Sequence, residues 1–461
     1  MLISVEGRVI LLNCNTGYNR DEMDGQMENN EKFVVRGGRP LVGEIKLAGA
    51  KNAATKLLVA TLLTDEECVF ENFPRIGDVE VAKELCAILG SEIRAIDSHL
   101  VIRTPEIKTT RVASLHRRNR IPILALGPLL NRKGEAEVPI VGGDKIGPRP
   151  VDMHLESLKE LGAKIEINNN FYRASVVGRL KGADIALKYP SVGATEQVIL
   201  ASVLADGKTT VSNSAVEPEI MDLIKFLQKM GAIIELGTNR TIAIHGVPKL
   251  HGARHKILSD RNEAVSFACL AVATNGRILV NGAEQDHLIT FLNDLRRIGG
   301  EYEVMGDGIL FWRARPLTPV RIETDTHPGF MTDWQQPFLT MLTQASGESS
   351  IHETVYEDRF GYTRDLNLMG ADIRVVDACL GNLPCRFRDK KCPHSAIVKG
   401  PTPLHGAKLR VPDLRAGMAH ILAALIAEGE SEISGVSEID RGYEKIVERL
   451  SFLGADIRRV G

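Results

Sequence analysis

The sequence predicts an α/β protein made of six copies of one small unit, three in each of two domains, with buried helices inside and sheets outside. Three observations lead there. A helix–glycine–strand phrase recurs six times, a second and almost wholly apolar helix recurs beside it, and 461 residues are too many for one hydrophobic core.

The first phrase reads LCAILGSEI, LKELGAKIEI, FLQKMGAIIEL, LRRIGGEYEV, LNLMGADIRV and LSFLGADIRRV. Its glycines are Gly90, Gly162, Gly231, Gly299, Gly370 and Gly454, at successive spacings of 72, 69, 68, 71 and 84 residues. Glycine just past a last turn closes a helix in the left-handed conformation, and the β-branched residues that follow start a strand. The second helix reads AKNAATKLLVATLLTDEE, RIPILALGPLLNRKGE, GATEQVILASVLADGK, NEAVSFACLAVATNGR, DWQQPFLTMLTQASGE and DLRAGMAHILAALIAEGE. A helix apolar nearly all round is buried on most sides, so these six belong inside, the reverse of a doubly wound fold. The last spacing is the longest, and the excess is expected in 377–400, a Pro-, Cys- and base-containing stretch that reads as an inserted loop.

Composition excludes several classes. Aromatics are 5% and the net charge is −2, which disfavours a stacking surface for single strands and a global basic field for nucleic acid or membrane. The apolar runs 121–130 and 418–427 are about half the length needed to span a bilayer. The N-terminus lacks a secretory pattern, and the expected location is the cytoplasm. Residues 17–32 are polar and acidic and read as a loose extension. Seven scattered cysteines suggest reduced thiols. Cys379, Cys385, Cys392 and His394 cluster, but a zinc site favours closer pairs, so they read as incidental thiols of a surface loop, with no metal and no cofactor.

Chemistry is expected at the joints before helices. Lys51 opens one buried helix, and 141–152 is rich in Gly, Pro and alternating charge. Ser191–Thr195, Asp333, Asp413–Arg415 and Asp440–Arg441 stand at further joints. Helix N-termini attract anions, and Lys51, Arg120, Arg149, Arg359, Arg415 and Arg441 at such joints could converge on one. No P-loop and no dinucleotide fingerprint is present.

At these joints the sequence resembles the enolpyruvyl transferases, and among them the branch acting on UDP-N-acetylglucosamine. The matching phrases are AGAKNAA, LALGPLL, GG-x-x-IG-x-RPVD-x-H, SVGAT, EPEI, HP-x-F-x-TD, ETVYEDRF, DLRA and DRGYE, in order from Gly37 to the C-terminus. The resemblance implies a two-domain inside-out α/β barrel with substrates in the cleft and the N-terminal strand returned to the C-terminal domain. The expected division is an extension 1–34, one domain of 35–50 plus 259–461, and another of 51–258. The implied reaction moves the enolpyruvyl group of phosphoenolpyruvate to the 3-hydroxyl of UDP-N-acetylglucosamine and releases phosphate, with a monomer as the working unit.

Residue by residue, the resemblance places Lys51, Arg120, Arg149, Arg415 and Arg441 around phosphoenolpyruvate, and Asn52 near the sugar. Arg149, Pro150, Val151, Asp152, Ser191, Val192 and Gly193 correspond to uridine-diphosphate contacts, with Val355 beside the sugar nucleotide. Arg359 joins the substrate-binding set. Asp333 corresponds to the base that takes the hydroxyl proton. Many family members carry cysteine where this chain has Asp144, which is expected to serve as proton donor; Lys145 beside it opposes the required rise in pKa. A carboxylate is a poorer nucleophile than a thiolate, so insensitivity to the alkylating epoxide fosfomycin is expected. Tyr189 stands where a basic residue often touches the diphosphate, next to Lys188, and Arg117 replaces a lysine. Two rivals stand beside this reading: a sister transferase for a shikimate phosphate or another nucleotide sugar, and an inactive paralogue that only binds UDP-sugar.

Overall fold

The computed structural model describes residues 4–5, 8–9, 31–97, 99–142, 146–168 and 170–461. It divides into two units, Met1–Asn30 and Glu31–Gly461. In the first, strands Ser4–Val5 and Arg8–Val9 pair antiparallel. Everything below concerns the second.

All six glycines of the repeated phrase have positive φ, from 93° to 112°. Each is the C-cap of a helix or follows its C-cap, and a strand begins one to two residues later. An L side chain there would pay the left-handed penalty at every repeat, so glycine is selected six times for one reason.

Each unit makes one sheet, and six sheets result. In five of them the strand after the buried helix pairs antiparallel with the last strand of a hairpin from the same unit. In the sixth sheet that hairpin position is taken by Lys32–Arg36, which pairs antiparallel with both Glu430–Ser434 and Asp456–Val460. Phe33 and Val35 are thereby fully buried. This strand starts inside the stretch expected to be loose extension, because alternating apolar side chains in KFVVR find a face to bury. Parallel edge strands link neighbouring units, as with Asp184–Ala186 on Lys208–Ser212 and Arg254–Lys256 on Glu67–Glu71.

The recurrent apolar helices lie inside. All thirteen residues of Arg261–Ala273 are buried, as are Ala194–Ser202 of Val192–Ser202. Arg261–Ala273, Gln335–Leu342 and Leu414–Ile426 pack pairwise. Two hydrophobic cores result: one from residues between Ala50 and Ile257, the other from Phe33–Leu47 and residues between Ala264 and Ile457.

Two units depart from the others. Their buried helices are entered through 3-10 turns, Ile121–Ala125 and Thr332–Trp334. Pro128 and Pro337 sit early in the helices that follow, where a missing N–H costs least. The insertion is narrower than expected. Ser395–Gly400 is a regular strand paired with Gly347–His352 and Asp372–Val376, because Ala396 and Val398 alternate into the core. The extra residues are therefore 377–394, within a hairpin.

Candidate active site

The predicted cations gather at joints between the two cores. Lys51 is the first residue of Lys51–Ala60, and its N–H donates to Asp260 at 3.0 Å. Its Nζ lies 2.8 Å from Asp78 Oδ2, while Arg441 Nε donates to Asp78 Oδ1 at 2.9 Å. One buried carboxylate thus joins a lysine of the first core to an arginine of the second. Burial alone would raise the pKa of Asp78, but Lys51 and Arg441 outweigh it and hold it low. Arg441 also donates to Glu438 at 2.7 Å, and Glu438 accepts from Arg117. Asn52 follows Lys51 on the helix, and its carbonyl accepts from Lys56 at 2.8 Å.

A second cluster centres on Asp333. Oδ1 accepts from Arg359 Nη2 at 2.6 Å, and Oδ2 from Arg415 Nε at 3.2 Å. Arg415 Nη1 donates to the Tyr443 hydroxyl, itself 3.1 Å from Ser266 Oγ. Arg415 Nη2 is buried and has no hydrogen-bond partner among the described residues. Burial would lower the pKa of Arg415, but Asp333 raises it, so this group stays charged. Asp413 caps the helix by accepting from the N–H groups of Arg415 and Ala416, which fixes where the arginine leaves the backbone.

The third cluster is the loop 140–151 with its supports. Arg120 Nη1 donates to the Arg149 carbonyl at 2.7 Å, and Nη2 reaches that of Pro150 at 3.5 Å. Burial and the charge of Arg149 bring Arg120 down to about 10. Arg149 adopts φ 44° and lies over the Tyr356 ring of the second core, 5.4 Å from its centroid. Arg359 approaches the same ring at 5.5 Å. The Asp358 N–H donates to the Ile146 carbonyl at 3.4 Å, and Gly147 abuts Glu357 so closely that a Cβ would fall 2.7 Å from Oε2. The loop of the first core therefore rests on 356–358 of the second. Val151 precedes Asp152, which opens the helix Asp152–Glu160. Ser191 caps Val192–Ser202 by accepting from Ala194 N–H, and a Cβ on Gly193 would come 2.9 Å from the His154 ring. Burial and Arg120 push His154 down to about 3, so it is neutral. Val355 donates its N–H to Glu353, a fully buried carboxyl whose pKa burial raises. Asp144, with Gly143 and Lys145, lies outside the described residues.

Several supports were not picked out. Asp78 sits 363 positions from Arg441 and Glu438 sits 321 from Arg117, while His154 and Glu353 fall inside the phrases RPVD-x-H and ETVYEDRF without an assigned role. A chain of buried Glu217, Glu219 and Arg261 with half-buried His327 also crosses between the cores: Arg261 donates to Glu219 at 3.0 and 2.8 Å and contacts His327 Nδ1 at 3.1 Å, and Glu217 accepts from the His327 N–H at 3.4 Å. The EPEI and HP-x-F phrases are its only trace.

The insertion reaches this region. Arg386 lies over the Tyr189 ring, 4.2 Å from its centroid, and donates to the Val355 carbonyl. Lys390 pairs with Glu357 at 3.2 Å. A cation thus stands at Tyr189 after all, supplied by the inserted loop; Lys188 instead pairs with Glu156 at 2.9 Å. The cysteines expected to be incidental are gathered: Cys379, Cys385 and His394 meet His352 of the strand Gly347–His352. The strand residue was missed because nothing in its own stretch of sequence marks it as a partner of a loop.

Comparison with known proteins agrees with this architecture. Residues 35–450 match the family model of EPSP synthase (3-phosphoshikimate 1-carboxyvinyltransferase). The UDP-N-acetylglucosamine 1-carboxyvinyltransferase of Protochlamydia amoebophila is 50% identical over 92% of this chain and 94% of its own. That of Granulibacter bethesdensis is 43% identical over 93% and 99%. Among solved structures, the enolpyruvyl transferase NikO from Streptomyces tendae superposes with a TM-score of 0.82 at 24% identity, covering 94% of this chain and 99% of that one. The chain belongs to the EPSP synthase family of carboxyvinyl transferases, and its fold is the two-domain inside-out α/β fold of enolpyruvyl transferases.

Proposed function

We propose that this protein transfers the enolpyruvyl group of phosphoenolpyruvate to the 3-hydroxyl of UDP-N-acetylglucosamine with release of phosphate, the first committed step of peptidoglycan synthesis. It acts as a cytoplasmic monomer, with 51–258 and 35–50 plus 259–461 as two domains closing on the substrates. The likeness to relatives of that name over nine-tenths of both chains supports the acceptor. The observation that carries the chemistry is Arg415 Nη2, a buried donor with no hydrogen-bond partner among the described residues, on a guanidinium already bound to Asp333. Leaving such a donor unpaired is costly, and a substrate anion would satisfy it.

In this reading Lys51, Arg120, Arg149, Arg359, Arg415 and Arg441 hold the phosphate and carboxylate of phosphoenolpyruvate. Charge-assisted bonds from cations already fixed by Asp78 and Asp333 stabilise the departing phosphate without reorganisation. Asp333 takes the hydroxyl proton as the oxygen bonds to the central carbon of phosphoenolpyruvate, and Asp144 gives a proton to the methylene carbon. The tetrahedral adduct then loses a proton from the new methyl group, expels phosphate and regains its double bond. Asn52 faces the sugar. Pro150, Val151, Asp152, Ser191, Val192, Gly193 and Val355 line the uridine-diphosphate side.

Mass spectrometry of the product tests the assignment. With phosphoenolpyruvate present, the UDP-N-acetylglucosamine mass should rise by one enolpyruvyl group. Modification of shikimate 3-phosphate instead would transfer the chain to the sister activity. Binding of UDP-N-acetylglucosamine with no product would make it a sensor.

A further inference from the structure

We propose that His352, Cys379, Cys385 and His394 form a structural zinc site that staples the inserted loop 377–394 to the sheet of the fifth unit.

One ligand atom from each of the four residues lies within 4.8 Å of all the others. Two thiolates and two imidazoles are the donor set of closed tetrahedral zinc sites. Cys379 Sγ is 3.4 Å from His394 Nε2. An edge of about 3.6 Å follows from Zn–S and Zn–N bonds of ~2.3 and ~2.05 Å at the tetrahedral angle. His394 Nδ1 lies 2.8 Å from the Cys392 carbonyl, which fixes Nδ1 as the protonated nitrogen and turns the Nε2 lone pair toward the cluster.

His352 supplies an independent argument. It is 1% exposed, and neither ring nitrogen has a hydrogen-bond partner among the described residues. Its Nδ1 is 3.6 Å from Glu323 Oε2, too long for a hydrogen bond, and that side of the ring is backed by Gly381. A buried imidazole with two unsatisfied nitrogens is costly unless something else binds one of them. The surroundings also suit a thiolate, since the Phe387 N–H donates to Cys385 Sγ at 3.3 Å. The charges close: zinc binding displaces the two thiol protons to solvent, and Zn²⁺ with two thiolates and two neutral imidazoles is a neutral centre.

Glu323 already anchors one turn of the loop by accepting from the N–H groups of Asn382 and Leu383, each at 2.8 Å. The ion would pin the rest and hold Arg386 over Tyr189 and Lys390 beside Glu357. The site stands on the insertion and its sheet alone and does not depend on which reaction the protein catalyses.

The test is zinc stoichiometry by plasma mass spectrometry on the full chain, purified under reducing conditions without chelator. The expected result is one zinc per chain, released when a mercurial blocks the thiols and reduced to background in the Cys379→Ser/Cys385→Ser variant. Cobalt substitution of the unaltered protein guards against a variant that does not fold, and thiolate-to-cobalt charge transfer with intense tetrahedral d–d bands is expected. Substoichiometric zinc after zinc incubation and dialysis would overturn the site. So would a cobalt spectrum without thiolate bands, or a Cys379–Cys385 disulfide in the freshly purified protein.

Discussion

Besides entering their buried helices through 3-10 turns, the second and fifth units differ from the other four in the connection from the strand after the buried helix to the next helix. In units one, three, four and six that connection begins with a left-handed residue: Asn72, Asn213, Gly282 or Gly435, at φ 54°, 54°, 85° and 72°. Units two and five have the longer connections 140–151 and 353–362, which do not begin with a left-handed residue; positive φ comes only further along the first of them, at Gly147 and Arg149 among the described residues. These two loops meet, through Ile146 and Asp358, Gly147 and Glu357, and Arg149 and Tyr356. Repetition therefore builds the scaffold, and part of the candidate site sits where one unit of each core abandons the repeat, facing Lys51, Arg415 and Arg441 from units that keep it. Asp144 falls in sequence between the described ends of the first connection, and Arg359, which binds Asp333, lies in the second.

The largest effect should come from the carboxylate that the fifth unit's arginine holds. Asp333→Asn should lower kcat on the order of 10²- to 10⁴-fold with little change in thermal stability, as measured by phosphate release and melting. Asp144→Asn should cost a comparable factor, since a proton donor in the second unit's loop would be gone. The unaltered protein should resist time-dependent inactivation by fosfomycin, and Asp144→Cys should introduce it. Rapid inactivation with covalent label on Asp144 would contradict the assigned role.

Arg386→Ala removes the cation that the insertion lays over Tyr189. It should raise KM for the sugar nucleotide by about tenfold, a loss of about 1.4 kcal/mol in binding, and leave kcat nearly intact. An unchanged KM would confine the insertion to a structural role. Gly435→Ala, in a unit that keeps the common turn, is the control. A side chain at φ 72° should cost about 1 kcal/mol of stability, with kcat and KM unaltered. Loss of turnover there would break the contrast between loop units and turn units.

A pH measurement sharpens the same contrast beneath the second unit's loop. His154 is held at about 3 by burial and Arg120, against 6.5 for an unperturbed histidine. Between those values the unfolded chain binds the proton and the folded one does not, so stability is lost as pH falls below 6.5. His154→Gln should flatten that part of the stability curve. An equal slope in the variant would assign the acid sensitivity elsewhere.

Much of this was legible in the sequence because it rests on local chemistry. Six glycines with positive φ and six helices without a polar face are decided within a few residues of themselves. The cations could be picked out because lysine and arginine at helix starts are conspicuous. Their partners could not, since Asp78 and Arg441 are 363 positions apart and no period relates them. The insertion was placed but drawn too wide, because its base-rich end obscured the alternation of the strand Ser395–Gly400. Cys379 and Cys385 looked too far apart for one ion, and the strand residue that completes the set, His352, lies outside the loop altogether.

The most direct test of the account is steady-state phosphate release by the full chain with phosphoenolpyruvate and UDP-N-acetylglucosamine together and separately. The account predicts release only with both substrates, matched one to one by enolpyruvyl product and abolished by Asp333→Asn. Tight binding of UDP-N-acetylglucosamine without phosphate release would contradict it.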